Sequence, residues 1–332
     1  MEEKNTELLA QYDLSIYRTS RMKGACLLET DQGLKLFGGC SLSAGRVEFE
    51  QKIKQYLAEQ GFVATDRYVR TREGEILVYG PYHEAFAMRD WFDGEECNVR
   101  RPEQLLQACG TLARLHNSLA QVELQESERP FCTQPRLNEV LERRNRELRR
   151  VRSYISEKKQ HGSFENLFLA HFYRVYDQAV QARESLDEAV YLPYYERCVC
   201  EGRMFHGNYT HHSVWMQKSG EPAVVSFEKA GTGVQIHDFY LLFRKMLEKH
   251  DWDAGLGYAM LNSYERIRSI PKQEQMLLVV LLRYPEKFWK ITNQYYNNRK
   301  SWIPQKNMQK LTLTMEQDER KQTCIRELFG TR

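Results

Sequence analysis

The chain has 332 residues and a net charge of +3, with 48 basic residues against 45 acidic ones. This length allows a sizeable buried core in one large domain or two modest lobes, so we do not expect an intrinsically disordered protein. The nearly balanced charge provides no concentrated basic field, so we expect neither nucleic-acid binding nor attraction to an anionic membrane.

The amino-terminal residues 1–15 are acidic and polar, whereas a signal peptide needs a basic start and then an apolar run. Secretion by that route is therefore not expected. The longest apolar run, Met276–Leu282, is far shorter than the roughly 20 residues needed to span a bilayer, so we expect no membrane insertion. Of the eight cysteines, only Cys198 and Cys200 are close together, which favours reduced thiols over disulfides or a zinc site.

The amino-terminal part of the chain has the pattern of a small sheet. Short runs rich in apolar and aromatic residues alternate with turn signals. The predicted strands are Ala25–Thr30, Leu34–Phe37, Glu75–Tyr79 and Ala85–Phe92. One helix is predicted over Glu48–Gln60, because its apolar residues share one face and Gly61 suits a left-handed helix end. Residues 1–92 are therefore expected to form a small β-rich lobe that carries one helix.

From Pro102 onward the pattern becomes helical, because apolar residues recur every three to four positions. Leu137–Lys159 is predicted to be a long surface helix with a dense arginine background. Its charges either form a solvated face or contact a partner or an anion, and the sequence leaves that choice open. Two short strands, 214–216 and 224–227, are predicted around a turn. Residues 93–332 are thus expected to form a large helical lobe with a mid-chain hairpin.

Two neighbouring segments carry the residues where chemistry is expected. Phe205–Trp215 has the sequence FHGNYTHHSVW, and Val225–Glu228 has the sequence VSFE. Together they resemble the catalytic loop and metal-binding strand of aminoglycoside-phosphotransferase-like kinases, in which His-Gly-Asp is followed after four residues by Asn, and later by an Asp before an aromatic residue. The resemblance implies an α+β, bilobal protein-kinase-like fold, with the small β-rich lobe first and the large helical lobe second.

In that family each motif residue has a physical task. The loop Asp orients the substrate hydroxyl or accepts its proton, and the Asn and the strand Asp hold magnesium. This chain has Asn208 at the base position and Ser213 and Ser226 at the two metal positions. An amide has no useful basicity and a serine provides no anionic oxygen, so the sequence predicts a pseudokinase that is not an enzyme. His206 and Asp238 match structural positions of the family and are expected to hold the loop rather than to react.

The remaining candidate ligands lie outside the loop. Glu228 is a weak candidate for a metal ligand, because strand alternation puts residues 226 and 228 on one face. Lys35 stands where the family's third strand offers a phosphate-pairing lysine, and Glu48 or Glu50 on the next helix is its expected partner. No glycine-rich loop precedes Lys35. We therefore expect that no cofactor is required, with ATP and magnesium left open as ligands.

Two further segments are similar to the CotS-type spore-coat proteins. Trp91–Pro102 is similar to the motif that joins the lobes in that family. Residues 284–304, which begin YPEKFWK and end KSWIP, are similar to its C-terminal signature. Trp289 and Trp302 are expected to be packing anchors for the last helices, with an exposed recognition surface as the alternative.

This narrower resemblance implies a protein made in the mother-cell cytoplasm and assembled into the spore coat, with other coat proteins as partners. The leading interpretation is a catalytically inactive, kinase-like scaffold protein. Two alternatives stay open: an active small-molecule or protein phosphotransferase with unconventional metal ligation, and a nucleotide-sensing module that binds without turnover. The sequence indicates no particular substrate and no oligomeric state.

Overall fold

The computed structural model describes residues 2–62, 64–125, 128, 134–297 and 304–330, and it begins with an antiparallel sheet of six strands. The strands are β1 Ile16–Met22, β2 Ala25–Thr30, β3 Gly33–Gly39, β4 Tyr68–Val69, β5 Leu77–Tyr79 and β6 Ala85–Asp90. They pair in the order β1-β2-β3-β6-β4, and β5 also pairs with β6. Two helices accompany the sheet, α1 Glu2–Leu9 and α2 Ala44–Glu59. The predicted first hairpin is confirmed as the β2–β3 pair.

Helix α2 begins at Ala44 rather than at Glu48, because Ser43 caps it. The Ser43 side chain accepts the backbone N–H of Arg46, which satisfies one of the amides that the first turn leaves unpaired. The helix then ends before Gly61, which has the positive φ of 82° that the sequence predicted for this position.

The two faces of the first sheet meet different parts of the molecule, because side chains alternate along each strand. One face packs against α1 and the segment after it in a cluster of Leu8, Tyr12, Leu28, Phe37 and Met88. The other face carries Ala87 and packs against Val47 of α2. Arg89 lies on this second face, two residues after Ala87, and is therefore on the α2 side of the sheet.

The rest of the described chain is mainly helical and forms one large hydrophobic cluster. Its helices are α3 Pro102–Ser118, α4 Leu137–Ser156, α5 Ser163–Glu184, α6 Glu188–Cys200, α7 Ile236–Lys249, α8 Ala254–Glu265, α9 Lys272–Arg283, α10 Glu286–Asn297, α11 Pro304–Glu316 and α12 Asp318–Phe329. The predicted arginine-rich helix is α4, which ends at Ser156 rather than at Lys159. The segment from Tyr191 to Met204, predicted to be mixed, is helical as far as Cys200, because Asp187 caps α6 and buried tyrosines hold it in the core.

Five short strands complete the fold of the described residues. They are β7 Gly94–Glu96, β8 Met204–Phe205, β9 Val214–Gln217, β10 Pro222–Val224 and β11 Gly231–Thr232. The predicted mid-chain hairpin is confirmed as β9–β10, and β7 pairs with β9 on its other side. Gly94 permits this pairing, because a Cβ at that position would lie 2.0 Å from the carbonyl oxygen of Met216. The second strand ends at Val224, earlier than predicted, because Ser226 adopts a φ of +71° that no strand contains.

An antiparallel sheet followed by a helical part confirms the predicted α+β class. The boundary between lobes at residues 92 and 93 stays a prediction. Within the described ranges, no helix combines the length and the apolar character needed to cross a bilayer.

Candidate active site

The backbone of the loop that resembles a catalytic loop is held by a buried carboxylate. Asp238, in the first turn of α7, accepts the backbone N–H of His206 at 2.5 Å and of Gly207 at 2.8 Å. The His206 ring contacts the carbonyl oxygen of Val225 through Nε2 at 3.0 Å. His206 and Asp238 therefore fix the loop next to the segment that carries Ser226.

The base position Asn208 and the metal position Ser213 have different surroundings. Asn208 is exposed at the surface of the loop. The Ser213 hydroxyl is buried, accepts the Thr210 N–H at 2.9 Å and donates to the Thr210 carbonyl at 2.8 Å. Ser213 thus closes the loop on itself. Its hydroxyl is already used within the protein.

Lys35 does not form the ion pair expected of it. Its ammonium contacts Asp90 Oδ1 at 2.7 Å and the Gln32 carbonyl at 2.8 Å. Lys35 pairs with Asp90 in the sheet register, and strand alternation puts both on the face opposite to Arg89. The expected pairing with α2 is therefore wrong, because Lys35 points away from that helix. A contact between Lys35 and a nucleotide stays a prediction.

The two glutamates proposed as partners of Lys35 pair elsewhere. Glu48 contacts Arg70 at 2.8 Å on the surface. Glu50 is fully buried and lies 2.6 Å from Lys54, the residue one turn later on α2. The expected ion pair between a lysine and a glutamate of α2 therefore exists, but its lysine is Lys54 of the same helix and not Lys35 of β3.

Lys54 and Glu50 belong to a larger set of charges that we call the ion network. Its members are Glu50, Lys54, Asp66, Arg89 and Glu228. Lys54 also contacts Asp66 Oδ1 at 2.9 Å, and Arg89 contacts Asp66 Oδ2 at 3.4 Å and Glu228 Oε1 at 3.2 Å. Burial opposes the charged form of Arg89, but Asp66 and its neighbours outweigh burial and raise the pKa of Arg89.

The network connects the first sheet to the segment after the loop. Asp66 accepts the backbone N–H of Ser226 at 3.2 Å through Oδ2. Arg46 of α2 donates to the carbonyl oxygens of Ala230 at 2.6 Å and Glu228 at 3.2 Å. Helix α2 is therefore fastened by charged side chains to the segment that follows Ser226.

Sequence reasoning missed Lys54, Asp66, Arg89 and Arg46. A signal was present for one of them, because Lys54 lies between the apolar residues Ile53 and Leu57 on α2 and one turn after Glu50. A lysine among apolar positions, with an acidic residue one turn before it, is compatible with a buried ion pair.

The residues present do not fit the magnesium site of the kinases that the motif resembles. The described ranges contain no group of three or more His, Cys, Asp or Glu side chains placed to hold a metal ion. A hard divalent cation prefers several anionic oxygens. Here the Glu228 carboxylate already pairs with Arg89, and the Ser213 hydroxyl is neutral and bonded within the loop. Metal binding by Glu228 stays a prediction.

Trp289 lies on α10 and packs against α4. Its Nε1 donates to Glu147 Oε2 at 2.7 Å, and the guanidinium of Arg144 lies 4.2 Å from its ring centroid. Trp289 therefore joins α10 to α4. Trp302, predicted to be a second anchor, lies outside the described residues.

The fold is shared with solved phosphotransferases. No protein-family model matches the chain, and no curated protein matches its sequence. The structure is similar to an aminoglycoside phosphotransferase from Alicyclobacillus acidocaldarius, with a TM-score of 0.84 and 21% identity over 97% of this chain and 94% of that chain. An AMP-bound spectinomycin phosphotransferase gives a TM-score of 0.67 and 9% identity over 99% of this chain and 98% of that chain. A microcompartment-associated aminopropanol kinase gives a TM-score of 0.65 and 12% identity over 99% of this chain and 98% of that chain.

These likenesses confirm the bilobal, kinase-like fold of the aminoglycoside-phosphotransferase type. They also contradict the prediction that the chain is not an enzyme, because these three solved structures, which share its fold over nearly its whole length, are phosphotransferases and a kinase. That prediction, which rested on three motif positions, is wrong. The spectinomycin enzyme holds AMP, and a similar amicoumacin kinase holds AMP-PNP and calcium.

Proposed function

We propose that this chain is a kinase-type phosphotransferase that moves the terminal phosphate of ATP onto a hydroxyl group of a small molecule. The observation that carries the proposal is the hold of Asp238 on the backbone of His206 and Gly207. Together with the contact between the His206 ring and the Val225 carbonyl oxygen, it keeps the loop bearing Asn208 beside the segment bearing Ser226. The full-length likeness to solved phosphotransferases supports the same reading.

The reaction depends more on the positioning of the acceptor hydroxyl and on positive charge near the transferred phosphate than on a strong base. The bond between the terminal phosphorus and the bridging oxygen of ADP breaks, a bond to the acceptor oxygen forms, and the hydroxyl proton leaves to solvent. Because the transition state is loose, little proton transfer is required as the bonds change. We assign no step to a metal, since the donors do not fit one.

Two residues receive roles in this proposal. Asn208 is exposed at the base position, and its amide oxygen accepts a hydrogen bond from the acceptor hydroxyl and orients it. Arg89 is 17% exposed, whereas Lys54 is fully buried, so Arg89 is the network cation that a phosphate can reach. Its guanidinium supplies charge to the phosphate oxygens.

The test is the ATP-dependent phosphorylation of a panel of hydroxyl compounds, followed by ADP formation and by mass spectrometry of the product. Asn208→Ala should lower kcat by about tenfold or more with little change in the KM for ATP, because it removes orientation and not binding. The matched control is Ser153→Ala, at an exposed site on α4. No acceptor-dependent ADP formation by the unaltered protein, or equal rates in the Asn208 variant, would reject the proposal.

We also propose that the chain is a CotS-type protein of the spore coat with other coat proteins as partners. The segment similar to that family's C-terminal signature packs Trp289 against α4. This leaves Arg146, Arg149 and Arg150 of α4 exposed for a partner. A fluorescent fusion in a sporulating culture should form a ring around the forespore and be extracted with the coat. A fusion that stays dispersed in the mother cell would contradict this assignment.

A further inference from the structure

A second charged cluster lies beside the loop, on the surface formed with α7. We call it the basic cluster, and its members are His211, His212, Lys245 and Lys249. The two histidines belong to the loop between Asn208 and Ser213, with ring centroids 3.8 Å apart. Lys249 Nζ lies 3.1 Å from His211 Nε2. The same helix α7 therefore holds the loop through Asp238 and carries two lysines beside its histidines.

The positive charge of the basic cluster is poorly compensated. Lys245 and Lys249 are one turn apart on α7, a spacing at which like charges repel. The carboxylate near Lys245 is Glu248, which already pairs with Arg244. Glu96 contacts His212 Nδ1 at 2.9 Å and also pairs with Lys23, so its charge is shared.

His211 has a buried hydrogen-bonding atom that is not satisfied. Because a lysine ammonium can only donate, Nε2 of His211 accepts from Lys249, and the hydrogen of the neutral imidazole is on Nδ1. This Nδ1 is buried and has no hydrogen-bond partner in the part of the chain that the structure describes. A buried donor without an acceptor is costly, but this Nδ1 has no exposed surface, so a ligand oxygen could satisfy it only if the ring moved.

The pKa values of the cluster agree with a local excess of positive charge. Burial, and then the charges of His212 and the neighbouring lysines, lower the pKa of His211 to about 3. Burial and the same lysines lower the pKa of His212. An anion placed in the cluster would relieve this repulsion.

We propose that the basic cluster binds an anionic group, a carboxylate or a phosphate, carried by the molecule that accepts the transferred phosphate. This inference rests on the proposed function, because it takes the loop at Asn208 as the place where the acceptor hydroxyl lies. The substrate class is then a hydroxyl compound with a negative charge. The ammonium groups of Lys245 and Lys249 supply charge-assisted donors to its oxygens.

The experiment compares three small hydroxyl compounds that differ in charge. Glycerol 3-phosphate, glycerol and ethanolamine are titrated into the protein by calorimetry, with inorganic phosphate as the minimal anion. Glycerol 3-phosphate and phosphate should bind, and glycerol and ethanolamine should not. The variant Lys245→Gln/Lys249→Gln should weaken glycerol 3-phosphate binding by about tenfold or more, the expected effect of losing a charge-assisted contact. Lys218→Gln, an exposed lysine paired with Asp93 outside the cluster, should change it by less than about twofold.

The same titrations are repeated with saturating AMP-PNP, to show whether the cluster binds the anion of the acceptor or the phosphates of the nucleotide. Binding that persists supports an acceptor site, whereas competition means that the cluster takes nucleotide phosphates and overturns the assignment. No response to either anion, or equal binding by the double lysine variant, also overturns it. These measurements need no turnover. Retained anion binding without any phosphorylation would reject the proposed function alone.

Discussion

Lys54 lies 2.6 Å from Glu50, one turn earlier on α2, and both side chains are fully buried. The sequence resemblance instead placed the corresponding lysine at Lys35, on β3. In the structure Lys35 is on the other face of the sheet, where it pairs with Asp90. The buried positive charge next to Glu50 therefore comes from the helix itself, and Asp66 is its second partner.

Replacement of Lys54 tests how strongly this pair holds the first lobe. Lys54→Met should lower the free energy of unfolding by about 3–5 kcal/mol, because it leaves Glu50 buried without its cation and Asp66 with only the more distant Arg89. Lys52→Met on the same helix is the control, since Lys52 is 41% exposed and pairs with Glu128. Its cost should stay within about 1 kcal/mol. Urea unfolding measures both, and equal costs would show that the buried pair adds nothing.

The two carboxylates around Arg89 provide a second matched comparison. Asp66 is fully buried, whereas the Glu228 side chain is 31% exposed. Asp66→Asn should cost about 3 kcal/mol or more, because Lys54 and Arg89 both lose a buried partner. Glu228→Gln should cost no more than about 1 kcal/mol, since solvent screens that pair. Chemical unfolding under the same conditions measures both. The reverse order of the two effects would argue against the network as described.

The sequence predicts those parts of the fold that rest on local patterns. The β2–β3 and β9–β10 hairpins follow from apolar alternation around turns, and the hold of Asp238 on the loop follows from the motif. The direction of Lys35 could not be predicted, because it depends on which face of the sheet α1 covers. A charged residue such as Lys54 is normally taken as solvated, so burial against Asp66 is a tertiary effect that periodicity does not reveal.

The same limit applies to chemistry at the loop. Position matching identified Asn208, Ser213 and Ser226 but not the surroundings that decide what each can do. Only the structure shows that the Ser213 hydroxyl is used within the loop while Asn208 is exposed. The pairing of Glu228 with Arg89, from a strand distant in the chain, is likewise a product of the fold.

Gly94 tests the joint between β7 and the mid-chain hairpin. Gly94→Ala places a Cβ about 2.0 Å from the Met216 carbonyl oxygen, so the strands must separate. We expect a loss of about 1–3 kcal/mol of unfolding free energy, the usual cost of overpacking. Gly39→Ala is the control, because the nearest atom to its Cβ would be 4.0 Å away. Thermal unfolding of both variants checks the prediction, and equal melting temperatures would refute it.

Glu165 predicts a pH dependence of stability. Burial would raise its pKa, but contacts with Lys158, Tyr295 and the Gly162 backbone N–H outweigh burial and lower the pKa from 4.5 to about 2. Because the folded state binds this proton less tightly than the unfolded state, the contribution of Glu165 is complete above pH 4.5. It is lost as the pH falls from there toward about 2.

Glu165→Gln should therefore destabilise the protein at neutral pH and make little difference near pH 2. The capping contact of Glu165 with Gly162 N, at 2.6 Å, is weakened in the variant as well, because an amide oxygen is a poorer acceptor than a carboxylate. Urea unfolding of both proteins between pH 7 and pH 2 measures the difference, with Glu157→Gln, an exposed site nearby, as the control. A difference that stays constant as the pH falls would mean that Glu165 contributes packing and not charge.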